Sequence, residues 1–283
     1  MKKPNFHVVA PSLPNFGFRQ RIAKRGFCAV AVRRDVLFAD EGTQVCAVRE
    51  SRRRLGGFYV TRIMGVVYPS SVVASHINLV HAQPPVWTSQ PGLPLQHAAT
   101  PYTAAEKGGM ERSAWFVTEG QAYWQLQTTK PQTLAYAFAD SPVALLAWTY
   151  EKLVDWTDGC AWTTDEILTW LSIYCFSTAG PNAHIRIYYE AQHHPTACVP
   201  DRDRASQWVY GVKLGVAHFP RELTVVPRLW AKTLGPLVYE SVLDKGGHFA
   251  AHKRPNAIVA DLHNMFGAGG PCQGMVRGRS GYR

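Results

Sequence analysis

Short runs suited to strands lie toward both ends of this chain, with a long helical stretch between them, and that order restricts the fold more than any single residue does. Near the start, His7-Val8-Val9-Ala10 reads as a short buried strand that runs into a turn rich in Pro and Gly, Pro11 to Phe18. Phe58 to Val67 suits a helix stopped by Tyr68-Pro69, and Val72 to Val80 reads as a strand. Residues 82–112, rich in Pro, Gly and Ala, read as a long connecting loop. Helices follow. Ser141-Pro142 supplies an N-cap and a first-turn proline, and Leu145, Trp148 and Lys152 recur at helical spacing. Thr163-x-x-Glu166 is a capping box ahead of Ile167, Leu168, Trp170, Leu171 and Tyr174.

The C-terminal third returns to alternation. Leu223 to Val226 reads as a strand, Pro227 to Leu234 as a short helix and Pro236 to Val242 as a strand. Gly246-Gly247-His248-Phe249 reads as a tight loop, and Pro255 to Phe266 as an amphipathic helix with Ile258, Leu262 and Phe266 on one side. The expectation is an α/β fold: a mostly parallel sheet carrying an inserted helical lid. Residues 1–85 would form the first part of the core, 86–205 the loop and lid, 206–268 the second part, and 269–283 a disordered tail.

Apolar residues make up 46% of the 283, ample for a core, and no run of 18 of them points to a membrane span. The start lacks the apolar stretch of a signal peptide. The six cysteines show no C-x-x-C pair and no metal spacing, so they read as reduced thiols of a cytoplasmic protein. His193-His194 reads as part of a solvated loop, not as a metal site. The formal charge is +10, and residues 1–60 hold twelve Lys/Arg against four Asp/Glu. Such an arm suits nucleic acid in principle, but Arg52-Arg53-Arg54 has a different explanation, and no nucleic-acid partner is expected.

Six separated phrases occur in one order: His7 to Phe18; Ala74-Ser75-His76-Ile77-Asn78; Thr129-Lys130-Pro131-Gln132-Thr133; Asp140 to Leu145; Phe219-Pro220-Arg221-Glu222; and Gly246-Gly247-His248-Phe249-Ala250-Ala251. In this order they resemble the microsomal-type epoxide hydrolases of the α/β-hydrolase superfamily, close to fungal members. The resemblance implies an α/β-hydrolase fold with an incomplete, mostly parallel sheet and a helical lid. It implies hydrolysis of a small epoxide to a vicinal diol through an aspartyl ester, with no metal and no organic cofactor. His248 matches the general base and Glu222 the acid that orients it. Tyr123 and Tyr189 match the two lid tyrosines, with Tyr188 the alternative to Tyr189. A haloalkane-type hydrolase and a non-catalytic remnant binding an apolar ligand are the competing readings.

Two departures stand out. Where the family has Gly-Gly-Asp-Trp-Gly-Phe, this chain has Arg53-Arg54-Leu55-Gly56-Gly57-Phe58, so Leu55 occupies the nucleophile position. Arg-Arg-Arg-Leu has codons that, read one base later, spell Gly-Gly-Asp-Trp, so residues 28–56 are expected to be a stretch translated out of frame. The family's segment ahead of His7, with its His-Gly-Trp-Pro oxyanion phrase, has no counterpart, so an N-terminally truncated and inactive hydrolase is expected. Its unpaired strands are expected to leave apolar surface exposed at 72–80.

Overall fold

The computed structural model describes residues 4–10, 12–22, 45–49, 57–87, 92–193, 204–276 and 281–282. Four parallel strands lie side by side in chain order: β1 (Val45–Arg49), β2 (Val72–Ile77), β3 (Lys213–His218) and β4 (Leu237–Val242). Parallel neighbours require crossovers. Helix α1 (Gly57–Val67) links β1 to β2. It is buried from Gly57 through Gly65, and Arg62 sits among its buried residues. The Arg62 guanidinium donates to the carbonyls of Ala205 (3.0 Å), Gln207 (2.7 Å) and Leu234, tying this helix to the second half of the core. Burial lowers that guanidinium to about 9.

The crossover from β2 to β3 is a helical insertion: α2 (Gly92–Ala99), α3 (Ala104–Trp115), a single π turn (Phe116–Gly120), α4 (Ala122–Thr129), α5 (Pro131–Asp140), α6 (Pro142–Asp155), α7 (Thr164–Phe176) and α8 (Arg186–His193). Its starts follow from local chemistry. The Ser141 hydroxyl accepts from the Ala144 N–H at 3.2 Å. Thr163 and Glu166 close the box in both directions, at 3.2 and 2.9 Å. The crossover from β3 to β4 contains the one-turn α9 (Arg228–Ala231), and α10 (Ala250–Lys253) and α11 (Pro255–Phe266) follow β4.

Several expectations need correction. His7 to Ala10 form no strand, and Val8 and Val9 are 84% and 73% exposed; a strand needs a partner, and none pairs here among the described residues. Residues 92–115 are largely helical instead of a loop. Thr103-x-x-Glu106 caps α3 through bonds of 3.2 and 2.9 Å, enough to start a helix despite Gly108-Gly109. The third strand is Lys213–His218, not Leu223–Val226, and Leu223 serves the core from a loop. The apolar surface expected at 72–80 is not exposed: Val72, Ile77, Leu79 and Val80 share a core with Phe58, Ile63 and Leu214, and Ala74 packs with Met265, because side chains leave the sheet plane and meet what covers its faces. Residues 268–276 form turns with Cys272 buried, its N–H donating to the Met265 carbonyl at 2.9 Å. Residues 28–56 include β1, and the rest of that stretch, Leu55 included, lies outside the described residues.

Candidate active site

Loops at the carboxyl ends of neighbouring parallel strands converge, and in open α/β sheets this edge is where ligands bind. Glu222 follows β3 and His248 follows β4. The structure brings them together: His248 Nδ1 lies 2.6 Å from Glu222 Oε1, with His248 at 0% and Glu222 at 1% exposure. A carboxylate only accepts, so Nδ1 carries the proton and Nε2 is left as the imidazole's acceptor. Glu222 Oε1 also accepts from the Leu223 N–H (2.7 Å), and Oε2 accepts from Asn78 Nδ2 (3.1 Å).

The loop that carries His248 is held by close backbone contacts. Gly246 has φ +119°, in the region that favours glycine, and a Cβ there would collide with the Phe219 ring. At Gly247 a Cβ would lie 2.7 Å from the Trp156 carbonyl oxygen and 2.8 Å from that of Arg221. The His248 N–H donates to the Trp156 carbonyl at 2.9 Å, so the end of α6 in the insertion anchors the core loop.

Over His248 stands an aromatic wall. The Trp156 ring meets the imidazole edge-on at 5.1 Å, Tyr123 lies 5.1 Å from Trp156, and Tyr188 lies 6.1 Å from Tyr123. Tyr123 and Tyr188 are buried. The π turn just before α4 sets Tyr123 in place, with Phe116 packed 6.5 Å from its ring. Tyr189, the residue favoured on sequence, points elsewhere: its ring stacks on His193 at 4.1 Å, and it lines a separate cavity of about 510 Å³ with Arg186 and Glu190. Helical geometry turns consecutive residues about 100° apart, so only one of the two tyrosines faces inward, and it is Tyr188. The charged residue that follows, Glu190, is itself buried and paired with Arg186 at 2.9 Å, so its charge does not mark the outward face of the helix.

Two contributors were missed on sequence. Asn78 was present only as part of a phrase, and Trp156 was not singled out. The sequence put Asn78 inside a strand, Val72 to Val80, whereas β2 ends at Ile77, which leaves Asn78 at the strand's carboxyl end; nothing local marks Trp156. Leu55 lies outside the described residues. Among the described residues, no group of three or more His, Cys, Asp or Glu is placed to hold a metal, and no helix is long and apolar enough to cross a membrane.

No protein-family model matches the chain. A protein of Stigmatella aurantiaca that carries an epoxide hydrolase name is 32% identical over 283 residues, covering 92% of this chain and 56% of that protein. Epoxide hydrolase 1 of Sus scrofa is 28% identical over 280 residues, 93% of this chain and 60% of the pig protein. The solved structure of Aspergillus niger epoxide hydrolase superposes with a TM-score of 0.70 at 30% identity, over 89% of this chain and 60% of that one. The chain thus spans somewhat less than two thirds of the length of these relatives. A parallel sheet interrupted by a helical lid, with acid and histidine after successive strands, defines an α/β-hydrolase. Within that superfamily the chain is similar in sequence and fold to epoxide hydrolases.

Proposed function

We propose that this site is built to hydrolyse a small epoxide to a vicinal diol in two steps, and that the chain does not complete the first of them. The observation that carries the reading is the buried Glu222–His248 pair beneath Tyr123 and Tyr188. In the first step a carboxylate attacks a ring carbon and the C–O bond breaks. The departing oxygen takes a proton from a tyrosine hydroxyl, which leaves a hydroxyalkyl ester. In the second, His248 Nε2 takes a proton from water, whose oxygen attacks the ester carbonyl; the departing alkoxide takes that proton back from Nε2 to leave as the diol, and the remaining water proton passes from the acid to the tyrosinate, restoring the carboxylate and the tyrosine hydroxyl. Glu222 keeps Nδ1 protonated and supports the positive charge that develops on the ring. Tyr123 and Tyr188 suit the oxygen-holding role. Leu55, at the nucleophile position by motif, has no lone pair to offer.

The test is incubation of the purified chain with aryl and alkyl epoxides in ¹⁸O-water, followed by mass spectrometry of the diol. Loss of a nucleophile costs on the order of 10⁴–10⁶ in rate, so no diol above the spontaneous reaction is expected. In Leu55→Asp a protein adduct heavier by one epoxide is expected, and in Leu55→Asp with His248→Ala the adduct should persist. Diol from the unaltered chain, abolished by His248→Ala, would refute the nucleophile assignment. Diol insensitive to His248→Ala would refute the base.

A further inference from the structure

Glu222 is a buried carboxylate whose two oxygens are used differently. Oε1 takes His248 Nδ1 at 2.6 Å and the Leu223 N–H at 2.7 Å. Oε2 takes only the Asn78 side chain at 3.1 Å among the described residues. The terminal torsion of a glutamate is broad and two-fold, so nothing intrinsic to Glu222 holds its plane against rotation. Nor does burial hold it: a buried, unpaired oxygen turns toward whatever donor is nearest. The plane is fixed from the far side, by the amide of Asn78.

The sheet explains why this residue is at hand. Ile77 pairs with Val216 in the parallel register of β2 and β3. Asn78 is the residue after Ile77, at the carboxyl end of β2, and Glu222 lies in the loop at the carboxyl end of β3. His248 follows at the end of β4, so three adjacent strands contribute one group each. The chemistry also fixes which way the Asn78 amide faces. A carboxylate offers no proton, so Asn78 must present its NH₂ and not its carbonyl oxygen. An aspartate of the same shape at this position would bring a second anion within about 3 Å.

The geometry points to Asn78 as a positioning residue for the acid–base pair: its amide locks the Glu222 carboxylate in the orientation that keeps His248 Nδ1 protonated and Nε2 turned to the reacting water. This rests on the proposed hydrolase reading for its catalytic meaning, but its test needs no turnover. The buried His248 Nδ1–H in a 2.6 Å bond to a carboxylate should give a strongly deshielded proton resonance. His248→Ala identifies that resonance by removing it. Asn78→Ala should broaden it beyond detection or move it upfield, because the carboxylate becomes free to turn. Asn78→Asp replaces the donor NH₂ by a carboxyl oxygen and should also shift or broaden it. Circular dichroism and the thermal midpoint check that each variant is folded, and Thr128→Ala, a buried hydroxyl bonded only within its own helix, supplies the structural control.

A resonance unchanged in both folded Asn78 variants would overturn the inference, whatever the epoxide assay gives. Equal loss in Thr128→Ala would overturn it as well, by showing that the signal reports general packing. Failure of the epoxide assay alone would bear on the reaction and leave the positioning role standing.

Discussion

Replacing Gly247 with alanine should loosen the loop that carries His248 without changing His248 or Glu222. A Cβ there would lie 2.7 Å from the Trp156 carbonyl oxygen and 2.8 Å from that of Arg221, against an ordinary contact of 3.4 Å or more. Relief therefore needs an opening of about 0.6–0.7 Å on both sides at once. Neither neighbour yields easily, because both are backbone and both are tied to this loop. The Trp156 carbonyl accepts the His248 N–H at 2.9 Å, and the Arg221 N–H donates to the Gly246 carbonyl at 3.1 Å. Forcing a methyl group into such a place costs about 1–3 kcal/mol, and weakening the His248 bond adds about 1 kcal/mol. The expected loss is about 2–4 kcal/mol in urea unfolding, seen as a lower midpoint at an unchanged slope. The same displacement should disturb the His248–Glu222 bond, so the imidazole NMR signals should move. A loss below about 0.5 kcal/mol with unmoved imidazole signals would mean that this loop is not held as described.

Two adjacent glycines of α3 should respond with opposite sign. Gly108→Ala meets nothing within 4 Å and should stabilise by about 0.5–1 kcal/mol, while Gly109→Ala drives a methyl into Val225 and should cost about 1–3 kcal/mol; equal shifts in thermal midpoint would refute the packing. Burial alone would raise the Glu240 carboxyl, but His218 and Arg228 outweigh it and hold it at about 2. Its folded value lies below the 4.5 of the free group, so its stabilisation is complete above about pH 4.5 and is lost as pH falls toward 2. Glu240→Gln should flatten that acid limb of stability by about 1–2 kcal/mol, a figure reduced for the solvent on its open side; an unaltered limb would exclude this carboxyl as its source. Arg62→Met keeps the stem but removes three bonds to carbonyls. Leu234 keeps its bond from the Val209 N–H and Gln207 is exposed to water, so the buried Ala205 carbonyl bears most of the expected loss of about 1–3 kcal/mol. A more stable Arg62→Met protein would mean that the cost of burying the charge exceeds the worth of its bonds.

What the sequence made legible follows a physical divide. Local rules read well: the hydroxyls of Ser141 and Thr163 start the helices they were expected to start, and Pro69 ends α1. The motif phrases carried His248 and Glu222, which meet across 26 residues of chain. The failures are nonlocal. Leu223 to Val226 has the composition of a strand, but Lys213–His218 takes the place beside β2, and pairing is decided by neighbours, not by propensity. Val8 and Val9 look like core and lie exposed, because apolar character does not supply a partner strand. Tyr188 and Tyr189 differ only in which way one helix is turned, and that angle is set by packing on Tyr123.

The loop bearing His248 is gripped from the lid side at two points, and together they couple His248 to the lid. Ahead of the histidine, the Trp156 carbonyl at the end of α6 holds its N–H. Beyond it, α10 is clasped by the start of α7: Glu166 Oε1 lies 2.9 Å from His252 Nε2 and 3.2 Å from Lys253 Nζ, and the Trp162 ring stacks on His252 at 5.2 Å. The backbone N–H of Thr163, with His252 and Lys253, holds the Glu166 carboxyl at about 2, so it stays ionised across the physiological range. The capping box of Thr163 and Glu166 therefore has two duties, starting a lid helix and binding the core helix that follows His248. Each exposed ion pair in the clasp is weak alone, but the buried backbone bond and the stacked ring do not depend on salt. A lid that moved as a rigid body away from the sheet would have to break both grips and carry the His248 loop with it. The lid is thus part of what holds the His248 imidazole in place, through the same segment on which Trp156 stands.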